Sequence, residues 1–424
     1  MMSETIPATK TKSLLSWGFY DWANSSFSAI IETFVLPAYF VKAVVQNEEL
    51  GTEKWGLALG LTGVVIAIGG PVLGAIADQA GQRKKWLFLF TLLNVLACAL
   101  MWFIYPDPSS ALFALILFSI ATMGSEFAYV FYNAMLPDLA PPDKVGRWSG
   151  WGWGLGYVGG MLSLVAALFL FIDPAISPIN FDRESSQEVR AAFVLVALWY
   201  GLFSIPLFLN TPDTPKKMDV LPAVRKGLNQ LKESFIDLKK YGSLFRFFIA
   251  RMFFVDGLLT LFAFGGIFAA SQFEMPEEKV LIFGIVLNVT AGIGAAIFAL
   301  LDDRFGPRRM MIISLLCLIA FGLLTLLAKT EAQFWLMGMM VGAFVGPVQA
   351  SSRSYLARVA PPELMNQMFG FFSLSGKATS FMGPLVVSLV IALTGSLVIG
   401  MTSIIIFFII GLALLLTVKE AKPV

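Results

Sequence analysis

The chain reads as an all-α membrane protein of twelve transmembrane helices in two pseudo-symmetric six-helix halves, and three observations lead there. The first is composition: 57% hydrophobic and 14% charged residues over 424 positions, with a mean hydropathy of +0.78, against about 25% charged in soluble domains. The second is a series of apolar stretches near the length of about 20 residues that crosses a bilayer. The third is a repeat. Gly74-Ala-Ile-Ala-Asp78-Gln-Ala-Gly81-Gln-Arg83-Lys84 returns about 225 residues later as Ala299-Leu-Leu-Asp-Asp303-Arg-Phe-Gly306-Pro-Arg308-Arg309. A second echo pairs Leu139-Ala-Pro141-Pro142-Asp143 with Val359-Ala-Pro361-Pro362-Glu363, and a weaker third pairs Phe19-Tyr-Asp21 with Phe254-Val-Asp256. Paired halves with a site between them are a common plan of transporters.

The expected elements follow in order. The first span, near residues 15–42, carries Asp21, Ser25, Ser28 and Glu32 at spacings of four, three and four, which puts them on one helix face with Asn24 beside it. The second, 55–77, runs into the first loop copy, and the third follows at 86–105. On the fourth, 111–134, Ser119, Thr122, Glu126, Tyr129 and Asn133 again share a face. The fifth, 147–171, holds two glycine stripes, Gly146/Gly150/Gly154 and Gly152/Gly156/Gly160, whose four-residue spacing lets helices pack closely. The GxGxxG match at Gly154, Gly156 and Gly159 lies inside this helix and follows no strand, so it is discounted as a nucleotide site. The sixth span is 190–209. Beyond a long connection come the seventh (244–270, with Arg251 and Asp256), the eighth (280–301, ending in the second loop copy) and the ninth (310–328). The tenth, 333–357, places Gln349 and Arg353 on one face; the eleventh, 366–392, does the same with Ser373, Lys377 and Ser380 and contains Gly383-Pro384; the twelfth is 396–418. Trp55 and Trp86 at span ends are expected as interface anchors.

Orientation follows from the positive-inside rule. With the N-terminus inside, Lys10, Lys12, Arg83, Lys84, Lys85, Lys144, Arg147, the basic run Lys216 to Arg246, Arg304, Arg308, Arg309, Arg358, Lys419 and Lys422 are cytoplasmic. Only Lys42, Lys54, Arg183, Arg190, Lys279 and Lys329 remain outside, among Glu48, Glu49, Glu53, Asp173, Asp182, Glu184, Glu188, Glu274, Glu277 and Glu278. Both termini are thus expected in the cytoplasm. The domain plan is a tail (1–13), a first half (14–209), a linker (210–243), a second half (244–418) and a tail (419–424).

Within the linker, Leu221, Val224, Leu228, Leu231, Phe235 and Leu238 recur every three or four residues, with Arg225, Lys226, Lys232, Lys239 and Lys240 elsewhere on the wheel. Such a helix is expected in the cytoplasmic membrane interface, as a tether between halves or as a lipid-sensing element. The polar N-terminal stretch, followed by an apolar segment too long for a signal core, gives no expectation of a cleaved signal. Cys98 and Cys317 both fall in apolar stretches, so neither a disulfide nor a metal pair is expected. With no histidine, proton handling would fall to carboxylates, tyrosines or lysine. No cofactor, metal or nucleic-acid partner is expected.

Two six-span halves, each with an Asp/Gly/Arg loop after its second helix, resemble the major facilitator superfamily. The superfamily's loop motif is met by Gly74, Asp78, Gly81 and Arg83, with Gln79 and Gln82 in place of two basic residues. In the second copy Asp303, Arg304, Gly306 and Arg308 match, while Ala299 and Pro307 depart. The string Trp17-Gly-Phe-Tyr20-Asp21-Trp22-Ala23-Asn24-Ser25-Ser-Phe27 is similar to the signature of the UMF branch, which includes the fungal autophagy-related vacuolar amino-acid effluxers. The resemblance implies that the first, fourth, seventh and tenth helices line a central cavity. It also implies that the loop aspartates Asp78 and Asp303, with Arg83 and Arg308, form a cytoplasmic gate, each aspartate meeting a helix N-terminus of the other half. A monomer in the cell (inner) membrane is expected by analogy.

Ionisable groups inside spans are costly, about 2.5 to 3.5 kcal/mol each on insertion scales, and mark function by default. The candidates for substrate or proton are Glu126, Glu32, Lys377, Asp21, Asp256, Asn24, Tyr129, Asn133, Gln349 and Arg353. Glu126 is the first choice as proton carrier and Glu32 the second, each within about a turn of mid-membrane. Asp21, beside Trp17, Tyr20 and Trp22, suits helix packing or an inner-gate bond as well as substrate contact. An acidic first half facing Lys377 suits a polar or zwitterionic solute such as an amino acid; alternatively Lys377 is a standing partner of Glu32, Glu126 or Asp256. The expected function is a secondary active transporter working by alternating access, with protons and a small molecule as partners in the lipid bilayer. The alternatives are a lipid-handling membrane enzyme or receptor on the same scaffold, or a transporter of amphipathic compounds.

Overall fold

The computed structural model describes residues 8–172, 177–236 and 241–420. Asp173, Leu238, Lys239, Lys240 and Lys422, with residues 1–7 and 421–424 of the tails, lie outside these, as do the side chains of Lys10, Phe235, Glu277 and Glu278.

Among the described residues twelve helices are long and apolar enough to cross a membrane. They are α1 (Thr11–Val45), α2 (Glu48–Ala80), α3 (Arg83–Phe103), α4 (Pro108–Leu139), α5 (Pro142–Ile172), α6 (Gln187–Asn210), α7 (Gly242–Phe273), α8 (Ile282–Phe305), α9 (Pro307–Leu326), α10 (Glu331–Val359), α11 (Pro362–Thr394) and α12 (Leu397–Leu416). Short polar caps start several of them. Asn47, Thr330 and Ser396 each accept a backbone N–H from the first turn of the helix that follows, meeting donors that have no intrahelical partner. Outward faces are apolar and exposed, with Leu57, Leu198 and Leu393 among them, as a lipid-facing surface requires.

The repeated loops turn on their glycines. Gly81 and Gly306 have φ of 75° and 91°, a backbone that glycine adopts at little cost and other residues resist. Each ends one helix and lets the next begin within two residues, which is why glycine stands in both copies.

The halves meet through two matched pairs, α2 along α11 and α5 along α8, while α5 also lies against α1. The two glycine stripes of α5 serve different neighbours. Gly146, Gly150 and Gly154 face α8, and Gly152, Gly156 and Gly160 face α1 at Asp21, Ser25 and the backbone between them.

Two helices depart from regularity. In α1, residues Phe27–Phe34 and Phe40–Val45 are π-helical, a rare form with wider i→i+5 turns. In α11 the helix stops at Lys377 and restarts at Met382, so it crosses as two segments. One expectation fails outright: Trp55 is 8% exposed and packs against Phe118 (ring centroids 4.3 Å apart) and Phe40. It fills the core between α1, α2 and α4 rather than anchoring at the interface.

Candidate functional site

At the end of the bundle where α1 begins and α12 ends, here called the terminal side, two aspartates join the halves. Asp78, near the end of α2, accepts the backbone N–H groups of Asn366 (3.1 Å) and Gln367 (2.9 Å) and the Asn366 side-chain amide (2.7 Å). Asp303, near the end of α8, accepts the N–H groups of Gly146 (2.8 Å) and Arg147 (3.1 Å). Both sets of donors lie in first turns of helices, where N–H groups lack partners and the helix dipole favours negative charge. The sites are equivalent: Asn366-Gln367 and Gly146-Arg147 stand at matching places after the echoed Pro-Pro-acid turns. That echo was visible in the sequence; the partners it marks were not identified from it.

The loop arginines do something else. Arg83 reaches Ala134 O (2.8 Å) and Asp138 (2.5 Å) within the first half. Arg308 reaches Leu416 O (2.8 Å) and Glu420 (3.3 Å) within the second. Neither spans the gate where the aspartates do; each braces a loop against its own half. Two cations meet Asp303: Arg358 of its own half, at 2.8 Å and also 3.3 Å from Asp302, and Arg147 of the other half, at 3.7 Å.

A second layer lies deeper. Arg353 of α10 meets Asp21 of α1 at 2.9 Å with both side chains at most 3% exposed. Its remaining N–H groups go to Ser149 Oγ (2.9 Å), Ser149 O (2.5 Å) and Asn133 (3.3 Å), and its guanidinium lies 4.9 Å over the Trp17 ring. Tyr129 donates to the other Asp21 oxygen. The signature string around Asp21 now has a physical content, because successive residues tie α1 to different helices. Trp17 bonds Tyr132 O (3.0 Å) on α4, Tyr20 bonds Thr91 (2.6 Å) on α3 and Tyr200 (2.9 Å) on α6, and Asn24 accepts from Ser125 (2.7 Å) on α4.

The linker also joins this end. Its helix (Val220–Ile236) lies on α2 through Gly227, with Ala223 and Ser234 buried, while Leu221 is 84% exposed. The apolar stripe is therefore split, Val224 and Leu231 turning towards the protein and Leu221 and Leu228 away from it. Gln230 receives a hydrogen bond from Gln79 of the first half and donates one to Gln367 of the second (2.6 Å), and Lys217 donates to Asp78 O (2.9 Å). The linker thus bridges the Asp78 contact between the halves as well as connecting them in sequence. Replacing Gln230 by leucine removes two neutral hydrogen bonds of about 0.5–1.5 kcal/mol each. The expected result is several-fold faster labelling of an Ala350→Cys reporter (Cys98 and Cys317 removed) from the terminal side; an unchanged rate would show that the bridge carries nothing.

Beyond the deeper layer is a cavity of about 630 Å³, within the ~300–1,000 Å³ typical of small-molecule sites. Its polar wall is Asp21, Asn24, Ser25, Ser28, Ser125, Glu126, Tyr129 and Asn288; the rest is mostly apolar. Helices α1, α4, α7 and α10 all contribute, with α5, α8, α9 and α12. Glu126 forms an ion pair with Lys377 at 2.8 Å across the halves, with side-chain exposures of 21% and 31%, and Ser373 adds a bond at 3.3 Å. Lys377 ends the first segment of α11, where a cation suits the helix dipole. Arg251 lies beside this pair, bonding Phe372 O (2.6 Å) and Ser375 (2.8 Å).

Arg353 and Asn133, in the Asp21 layer, and Lys377, behind Glu126, lie off the cavity wall, and three further candidates fall elsewhere than expected. Glu32 accepts from Ser28 (2.9 Å) and lies within electrostatic reach of Glu126 and Lys377, yet it is absent from the cavity wall. The π-helical turns starting at Phe27 rotate the polar face, and Ala29 and Thr33 take that place. Asp256 is 1% exposed and accepts Gly383 N (3.1 Å), at the start of the second α11 segment; it caps the break rather than meeting Lys377. Gln349 is half-buried, with no hydrogen bond among the described residues and no place on the cavity wall.

Comparison with known proteins places this geometry in a family. The model of the family described as vacuole effluxer Atg22 like matches residues 56–423. The chain is 30% identical over 414 residues to the uncharacterized MFS-type transporter YxiO of Bacillus subtilis (strain 168), covering 97% of this chain and 95% of YxiO. It is 24% identical over 287 residues to autophagy-related protein 22 of Saccharomyces cerevisiae, covering 58% of this chain and 53% of that protein. Among solved structures, the human organic anion transporter MFSD10 (TETRAN) superimposes with a TM-score of 0.75 at 14% identity over 97% of this chain and 100% of that one. The MFS transporter FucP in the outward conformation gives 0.74 at 13% identity, covering 96% and 98%. These two show the fold.

Proposed function

The chain belongs to the vacuole effluxer Atg22-like family and has the major facilitator fold, and from that premise we propose that it is a secondary active transporter. It moves a small polar or zwitterionic solute, an amino acid or related metabolite, by alternating access coupled to protons. Its termini and linker face the cytoplasm and it works as a monomer in the cell membrane. The relatives and structural neighbours are named as effluxers and transporters, which speaks for transport and against a membrane enzyme on this scaffold.

The observation that carries the reading is a cavity sealed at one end by contacts that cross between halves, with an ion pair in reach of its wall that also crosses between them. Glu126 lines the cavity and holds Lys377, so anything that neutralises Glu126 loosens α4 from α11. A proton can do this, and so can a solute ammonium group competing with Lys377, while the solute carboxylate takes the released lysine. Solute and proton would then act on one bond, which links their movements. The Asp78 and Asp303 contacts break when the halves rock to open the terminal side.

The test is flux in proteoliposomes. Glu126→Gln is expected to abolish uptake or efflux driven by a pH gradient while leaving counterflow exchange of the same solute. Driven transport at the unaltered rate would remove Glu126 from the mechanism, and no flux of any solute under any gradient would remove the transport reading.

A further inference from the structure

The cavity does not stop at the interface between the halves. Its wall includes Leu318, Gly322 and Thr325 of α9 and Met401, Ile404 and Phe408 of α12, helices that pack on α7 and α10 of their own half. The cavity therefore extends through the second half as an apolar arm. Leu318, Ile404 and Phe408 are packed into the core behind this wall, while Leu259, Phe262 and Ile285 are 40–47% exposed along it, so the arm is open on one side. The charged groups on the wall are Asp21 and Glu126, and among the described residues no lysine or arginine lines it. Of the two acids, Asp21 is held on both oxygens by Tyr129 and Arg353 in a pair at most 3% exposed, whereas the Glu126–Lys377 pair is 21% and 31% exposed, so a charged head reaches Glu126, beside Asn24 and Ser125, by displacing Lys377.

Two glycines show that the space is kept open. Gly265 of α7 and Gly284 of α8 both line the cavity, and a Cβ on either would have no atom within 4 Å. A polar, acid-bearing floor joined to an apolar arm matches a molecule with the same two ends.

We propose that the site takes an amine-bearing amphiphile, its ammonium group at Glu126 and its apolar body in the arm between α7, α8, α9, α10 and α12. This deepens the transport reading by naming the rest of the solute, and it rests on that reading only for what the site is used for. Binding itself requires no flux.

The experiment is equilibrium binding of butylamine, octylamine and dodecylamine to the protein in lipid nanodiscs, with empty nanodiscs subtracted and octanoate and dodecanoate as controls. Affinity is expected to rise about fourfold per added methylene until the arm is full, with the carboxylates at least about tenfold weaker than the matching amines. Gly265→Leu and Gly284→Leu, which fill the arm from different helices, should flatten the series beyond butylamine and leave butylamine itself unchanged. A flat series in the unaltered protein, equal binding of the carboxylates, or full length dependence in both variants would overturn the proposal. The two readings separate cleanly. Absence of flux with the length series intact would sink transport and leave the site, whereas leucine flux with a flat series would do the reverse.

Discussion

Replacing Arg353 by methionine is expected to destabilise the protein by about 3–5 kcal/mol, the cost of leaving a buried partner charge uncompensated. Asp21 would lose its 2.9 Å ion pair while staying at most 3% exposed, and Asn133 and both acceptors of Ser149 would lose their donor with it. Methionine roughly keeps the volume under Trp17, so the loss is electrostatic rather than a cavity. The double replacement Arg353→Met, Asp21→Asn removes both charges and should recover most of that stability, since a buried pair taken out whole is often neutral. Chemical unfolding in a fixed detergent measures all three proteins. If the double variant is no more stable than the single one, the pair is not what holds α1 to α10. Transport should fail in the double variant regardless of its stability, because the layer that closes the cavity floor also crosses the halves.

How much of this was legible beforehand depends on what kind of signal a residue leaves. The spans and the repeat are long-range patterns of hydropathy and spacing, and α1 to α12 follow them with contacts between the halves at the repeated loops. The contacts of Asp78 and Asp303 were legible because they need only a helix end and a facing N-terminus. Arg83 and Arg308 stand beside them in the same motif, yet they turn into their own halves, and sequence adjacency carries no record of which way a side chain leaves the chain. Glu32 was misjudged for a different reason. Its place on the polar face assumed a regular helix, and the π turns over Phe27–Phe34 break that assumption just ahead of Pro37, whose missing N–H was the one mark of irregularity in the sequence. Asp256 echoes Asp21 in sequence but not in use: one caps a helix break and the other anchors a cross-half ion pair. The linker's role at the gate was also hidden, because Gln230 acts through contacts with residues more than a hundred positions away.

Asp78→Asn should shift the resting conformation towards one open at the terminal side by about ten- to a hundredfold. The carboxylate accepts three N–H groups from Asn366 and Gln367, and hydrogen bonds to a charged acceptor are worth about 1.5–3 kcal/mol each. An asparagine there keeps one acceptor and turns an amide N–H₂ towards other donors, so at least one bond is lost and one contact becomes repulsive. Asp303→Asn removes only two cross-half N–H bonds, to Gly146 and Arg147, against the three at Asp78, so its shift should be smaller. The asymmetry is the discriminating feature, because two loops of equal sequence weight would predict equal effects. Labelling of the Ala350→Cys reporter from the terminal side, in the background without Cys98 and Cys317, reads the shift directly. Faster labelling in Asp78→Asn than in Asp303→Asn, with the double variant fastest, supports two gates acting together on one rocking motion. Equal and unchanged rates would mean that the contacts between helix ends follow closure without contributing to it, and that the Arg353 layer alone holds the terminal side shut.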